Sequence, residues 1–123
     1  MRVLSLIFFI FLLNHLAMRF YWYSSIWYLD MPMHFLGGFW LGLAAIYLFL
    51  FGNQSFKSIL GIFLIILIVG VGWEMFEILV DKFITYDLSN SLDTVSDILF
   101  DLAGGLSAIF YFFKQTISIK ENT

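Results

Sequence analysis

Polar and apolar positions are segregated along this chain into blocks. Val3 to Phe20, Met33 to Phe51, Ser58 to Val80 and Thr94 to Lys114 are predominantly apolar. Each block holds about 18 to 23 residues, near the ~20 that cross a bilayer as a helix. Between them stand an aromatic stretch from Phe20 to Tyr28, a short polar connection from Gly52 to Lys57 and a longer one from Lys82 to Leu92. The pattern predicts an all-α polytopic membrane protein, a single transmembrane domain over 1–123 built as a bundle of four transmembrane helices. The spans are expected at approximately 3–20, 33–51, 58–80 and 94–114. The Trp and Tyr side chains of 20–28 suit a membrane interface, where amphipathic rings sit at head-group level. Pro32 suits the first turn of a helix, where its missing N–H would be unpaired anyway. Asp93 or Thr94 fits the N-cap of the last helix, and the polar tail after Lys114 is expected to fray. A signal peptide is the competing reading of the first block, since Arg2 and a short apolar run fit one. No small-x-small cleavage site follows, so a retained span is preferred.

A second periodicity runs inside the blocks. Asp93, Asp97 and Asp101 are spaced i, i+4 and i+8, and the same face continues through Gly104, Gly105 and Ala108. His34, Gly38 and Gly42 share a face of the second span. Gly70, Glu74, Glu77 and Asp81 fall at i, i+4, i+7 and i+11 in the third. Residues four apart are neighbours on a helix surface, and small residues at that spacing let a second helix approach closely. In an up-and-down bundle, Asp30 and His34, Glu74 and Glu77, and Asp93, Asp97 and Asp101 all lie at one membrane face. The sequence therefore predicts a convergent carboxylate/His site pointing into the bundle. Asn14 and His15 stand near a helix end and are read as hydrated. Trp40 and Trp73 are read as interface or core.

Composition narrows the class. The chain is 62% hydrophobic and 12% charged, whereas a soluble domain is roughly half apolar and a quarter charged. A net charge of −3 with no basic run argues against nucleic acid as a partner. The absence of Cys excludes disulfides, thiolate zinc sites and thiol nucleophiles. Arg2, Lys57, Lys114 and Lys120 fall on the side of the termini, against Arg19 and Lys82 on the other. That bias predicts a multi-pass cell-membrane protein with cytoplasmic termini and the acidic site toward the outer face. Asp30, Glu74, Glu77, Asp93, Asp97 and Asp101 face only two cations on that side. Either several acids hold protons or a divalent cation is bound. Carboxylates with one imidazole favour Mg or Mn; Zn or Fe suits the set less closely.

The motifs Asp30-x-x-x-His34-Phe35, Trp73-Glu74-x-x-Glu77 and Asp93-Thr94-x-x-Asp97-x-x-x-Asp101-x-x-Gly104 together resemble the small YjdF-like membrane proteins. More loosely they are similar to the VanZ-like proteins, which commonly carry Glu and Gln on the third helix and Asp-x-x-x-Asn on the fourth. The resemblance covers about Asp30 to Ala108. It implies the same helical fold and the same site, and supplies no reaction.

Two functions compete. The first is a metal-dependent membrane hydrolase or transferase acting on a lipid head group or a cell-envelope phosphoester. Catalytic weight would fall on Asp97, Asp101, Glu74 and Glu77, with metal ligands drawn from Asp30, His34, Glu74, Glu77, Asp93, Asp97 and Asp101. No Gly-x-Ser-x-Gly elbow, phosphate-binding loop or Glu-x-x-His pair is present. The second is a proton or cation pathway, or a small carrier, working as a homo-oligomer, since intramembrane acids are typical of such routes. Plain bundle packing accounts well for one buried acid and poorly for six at one level. Asp81 and Asp87, in or beside a polar connection, are expected to tolerate substitution.

Overall fold

The computed structural model describes residues 2–49, 55–85 and 91–121, and among these it is entirely helical apart from short turns. The elements are α1 (Arg2–Arg19), α2 (Trp22–Ser25), α3 (Asp30–Phe49), α4 (Phe56–Val80) and α5 (Ser91–Glu121), with α4 continuing into a wide π turn over Asp81–Thr85. Four of these helices are long and apolar enough to cross a membrane. The chain is thus an all-α four-helix membrane bundle. Its outer surface carries large apolar side chains such as Phe8, Leu64, Ile68, Leu99 and Phe110. An apolar exterior of that extent belongs against hydrocarbon and not against water.

Each of the three helices that form the core buries one i, i+4 stripe. On α3 the buried residues are His34, Gly38, Gly42, Ala45 and Ile46. On α4 they are Ile62, Ile66, Gly70 and Glu74. On α5 they are Asp97, Asp101, Gly104, Gly105, Ala108 and Ile109. All three stripes are apolar at one end and polar at the other, and the polar ends coincide. At the apolar end Ile62, Ile66, Ala45, Ile46 and Ile109 form the hydrophobic core cluster. The α3–α5 contact is the most extensive in the bundle; α4 packs on α5 and α3, and α1 packs mainly on α3. Trp40 fixes α1 by donating its indole N–H to the Val3 carbonyl at 2.9 Å.

Several helix ends differ from expectation. The second spanning helix starts at Asp30 and not Met33, because Pro32 within the first turn lets the helix open ahead of it. Ser55 caps α4, its hydroxyl accepting from the Ser58 N–H, so that helix starts at Phe56. α5 starts at Ser91, which places Asp93 and Thr94 inside its first turns and not at the N-cap. It also runs on to Glu121, past the end expected near Lys114. No Gly or Pro interrupts 115–121, and the Thr116 hydroxyl donates back to the Phe112 carbonyl at 3.0 Å. Phe51 and Asp87 lie outside the described residues.

Candidate functional site

The polar ends of the three stripes meet around one imidazole. His34 Nδ1 lies 3.4 Å from Asp101 Oδ1 and 3.9 Å from Glu74 Oε1. Its Nε2 lies 3.7 Å from Asp30 Oδ1 and 3.9 Å from Asp97 Oδ2. Asp30 reaches His34 from one turn earlier on α3. Glu74 comes from α4, and Asp97 and Asp101 come from α5. His34, Glu74, Asp97 and Asp101 are the buried polar side chains among the described residues.

Close backbone approach makes this convergence possible. A Cβ at Gly104 would overlap the Phe35 carbonyl oxygen, and one at Gly42 would stand 2.8 Å from the Ala108 Cβ. On α4, a Cβ at Gly70 would stand 2.9 Å from Asp101 Oδ2. The Asp101 carboxylate therefore occupies the space that Gly70 leaves on α4, while its other oxygen faces His34.

The hydrogen bonding of the cluster is incomplete. Glu74 Oε1 and Asp97 Oδ1 are buried without a hydrogen-bond partner. Leaving such an oxygen unpaired costs about 1–3 kcal/mol, more if it is charged. Glu77 differs in that Oε1 accepts from the Trp73 indole N–H at 2.8 Å. Two sets offer potential ligand atoms within 4.8 Å of one another: Asp30, His34 and Asp97, and His34, Glu74 and Glu77. An octahedral Mg ion at ~2.1 Å sets neighbouring ligands roughly 3 Å apart and opposite ones roughly 4 Å apart, so the side chains of either set would draw inward around an ion.

The cluster forms the partition between two cavities. A polar vestibule of about 390 Å³ is walled by Asp30, Glu74, Glu77, Asp81, Asp93 and Asp97 among others. A largely apolar cavity of about 350 Å³ lies between α1, α3 and α4. Asp30, Trp73 and Glu77 border both, and His34 and Asp101 border the apolar one.

Asp30, His34, Glu74, Glu77, Asp97 and Asp101, all expected at the site, are thus brought together. Asp93 is not in either ligand set; it is exposed and borders the vestibule. Asp81, expected to be peripheral, also borders the vestibule. Asn14, read from the sequence as simply hydrated, borders the apolar cavity and accepts a hydrogen bond from the Tyr23 hydroxyl. His15, beside it, is exposed. Burial and then the nearby Asp30 and Glu77 charges push the Tyr23 phenol above its usual range, which keeps it a donor. Nothing in the periodicity of the first block marks Asn14, because its role depends on where α1 leans against α3.

A family model described as a predicted membrane protein, DUF2238, matches residues 1–117. No curated protein and no solved structure matches the chain.

Proposed function

The chain belongs to the DUF2238 family of predicted membrane proteins, and from that premise we propose that its buried His/carboxylate cluster binds a divalent metal and acts on a lipid head group or cell-envelope phosphoester. The observation that carries this reading is that Glu74 and Asp97, each with one buried oxygen that has no hydrogen-bond partner, converge on the His34 imidazole from α4 and α5. Acids in hydrocarbon are costly unless paired or coordinated, and a cation beside His34 would give these carboxylates a partner. Mg or Mn suits the oxygen-rich set best, with Zn or Fe as weaker fits. The motifs also resemble those of YjdF-like and, more loosely, VanZ-like proteins, a likeness that adds no reaction.

The residues divide the work. Asp30, His34 and Asp97 hold the ion through Nε2 and two carboxylate oxygens. Asp101, nearest to Nδ1, accepts that N–H and orients the ring; metal-bound His side chains commonly donate their second N–H to a carboxylate in this way. Glu77, held by Trp73, stands on the vestibule side with Glu74, where either carboxylate can take a proton from water or return one to a leaving group. A divalent ion supplies Lewis acidity for a phosphoryl oxygen or for water. The measurement is elemental analysis of detergent-purified protein against Asp97→Asn. The wild type should carry a divalent ion that the variant lacks, and equal content in the two would reject the site.

The alternative, a proton or cation pathway or a small oligomeric carrier, gains less support. Beyond Gly70, Gly38 and Gly104 the buried stripes continue as Ile66, Ile62, Ala45, Ile46, Ala108 and Ile109. No buried carboxylate among the described residues carries the acidic path toward the opposite face.

A further inference from the structure

We propose that the cavity between α1, α3 and α4 holds the hydrocarbon chain of a membrane phospholipid, which enters sideways from the bilayer between α1 and α4 and presents its phosphoryl head group to the His34 cluster. The head-group half of this proposal rests on the metal reading above; the chain half does not.

The wall chemistry identifies the occupant. Ile7, Ile10 and Phe11 of α1, Met33 and Leu41 of α3, and Val69 of α4 supply a mostly apolar lining. Position indicates the route. α1 packs mainly on α3, and α1 and α4 flank the cavity from two sides. A gap between two spanning helices opens onto lipid chains and not onto water. Size limits what can enter. At about 350 Å³ the cavity lies near the lower end of the roughly 300–1,000 Å³ of small-molecule sites, room for one chain and not two.

The polar end matches the amphiphile. His34, Asp101, Asp30 and Glu77 border the same cavity, so a chain lying in it ends at the carboxylate/His partition. Asn14 faces the cavity with its carbonyl occupied by Tyr23, while among the described residues its amide N–H meets the Met18 sulfur, 3.7 Å away. A thioether is a weak acceptor. The ester carbonyl of a lipid is a stronger one for that donor.

Gly37 provides a test that spares the fold. It borders the cavity, and a Cβ built there meets nothing within 4 Å. Leu at this position projects into the cavity and narrows it. Gly72 is the control, because its Cβ also meets nothing and it lies outside the cavity wall. The full chain is reconstituted in phosphatidylcholine vesicles doped with a phospholipid carrying a diazirine midway along one acyl chain. After irradiation, labelled residues are mapped by peptide mass spectrometry, and Mn²⁺ binding is measured in parallel. Ile10, which is buried, should label as strongly as the outward-facing Phe9. Gly37→Leu should lower Ile10 labelling several-fold and leave Phe9 unchanged, while Gly72→Leu changes neither. Weak Ile10 labelling in the wild type, or labelling indifferent to Gly37→Leu, overturns the proposal. The expected labelling with no Mn²⁺ binding would support the chain site and reject the metal reading alone.

Discussion

A Cβ placed on Gly38 would overlap the backbone carbonyl oxygen of Asp101. That contact sets α3 against α5 at backbone distance and brings His34, one turn before Gly38, to Asp101. The site is therefore a product of the helix packing, and its geometry depends on residues that carry no chemistry.

Gly38→Ala and Gly104→Ala should each destabilise the bundle by at least the ~1–3 kcal/mol typical of overpacking, because the obstacle is backbone and cannot rotate away. Gly37→Ala, which meets open space, should be neutral or slightly stabilising, since Ala is the better helix former. Thermal unfolding in one detergent, compared across the three variants, checks the order.

The carboxylates should separate by depth. Asp97→Asn should abolish stabilisation by Mn²⁺ while leaving the metal-free melting temperature near or above that of the wild type. An amide removes the buried charge but not the shape, and a ligand that binds only the folded state stabilises it by mass action. Asp93→Asn, at an exposed position, should stay within about 0.5 kcal/mol of wild type and keep the metal response. A melting series with and without Mn²⁺ reads both effects.

Much of this site is legible in the sequence, for a definable reason. The i, i+4 spacing of Asp97 and Asp101 with Gly104, Gly105 and Ala108 marks a single face whether or not its partner is known. The same holds for Glu74 with Gly70 and for His34 with Gly38 and Gly42. Those faces are the ones the fold buries. Asn14 and Tyr23 are not legible in this way. Their roles depend on how α1 leans on α3, a tertiary fact with no period. Asp81 shares the helical period of Gly70, Glu74 and Glu77, and it borders the vestibule from the π turn beyond Val80. The end of α5 escaped for a local reason. Polar residues after Lys114 resemble a tail, yet without Gly or Pro they continue the helix to Glu121.

Orientation follows from the basic residues. Reporter fusions after Lys57 and Lys114 should read cytoplasmic, and a fusion after Lys82 external, given the excess of Lys and Arg on the side of the termini. The inverse pattern would turn the vestibule toward the cytoplasm and leave the cluster itself unchanged.

A divalent ion held by His34 and its surrounding carboxylates should be visible in electron paramagnetic resonance of Mn²⁺ added to the purified, metal-stripped protein, because nitrogen coordination modulates the echo. One ion should bind per chain with coupling to a single imidazole nitrogen, and His34→Gln should lose that coupling. Bound Mn²⁺ without nitrogen coupling would contradict the role of His34, and no bound Mn²⁺ would leave a cluster of acids that serves only to pack the helices.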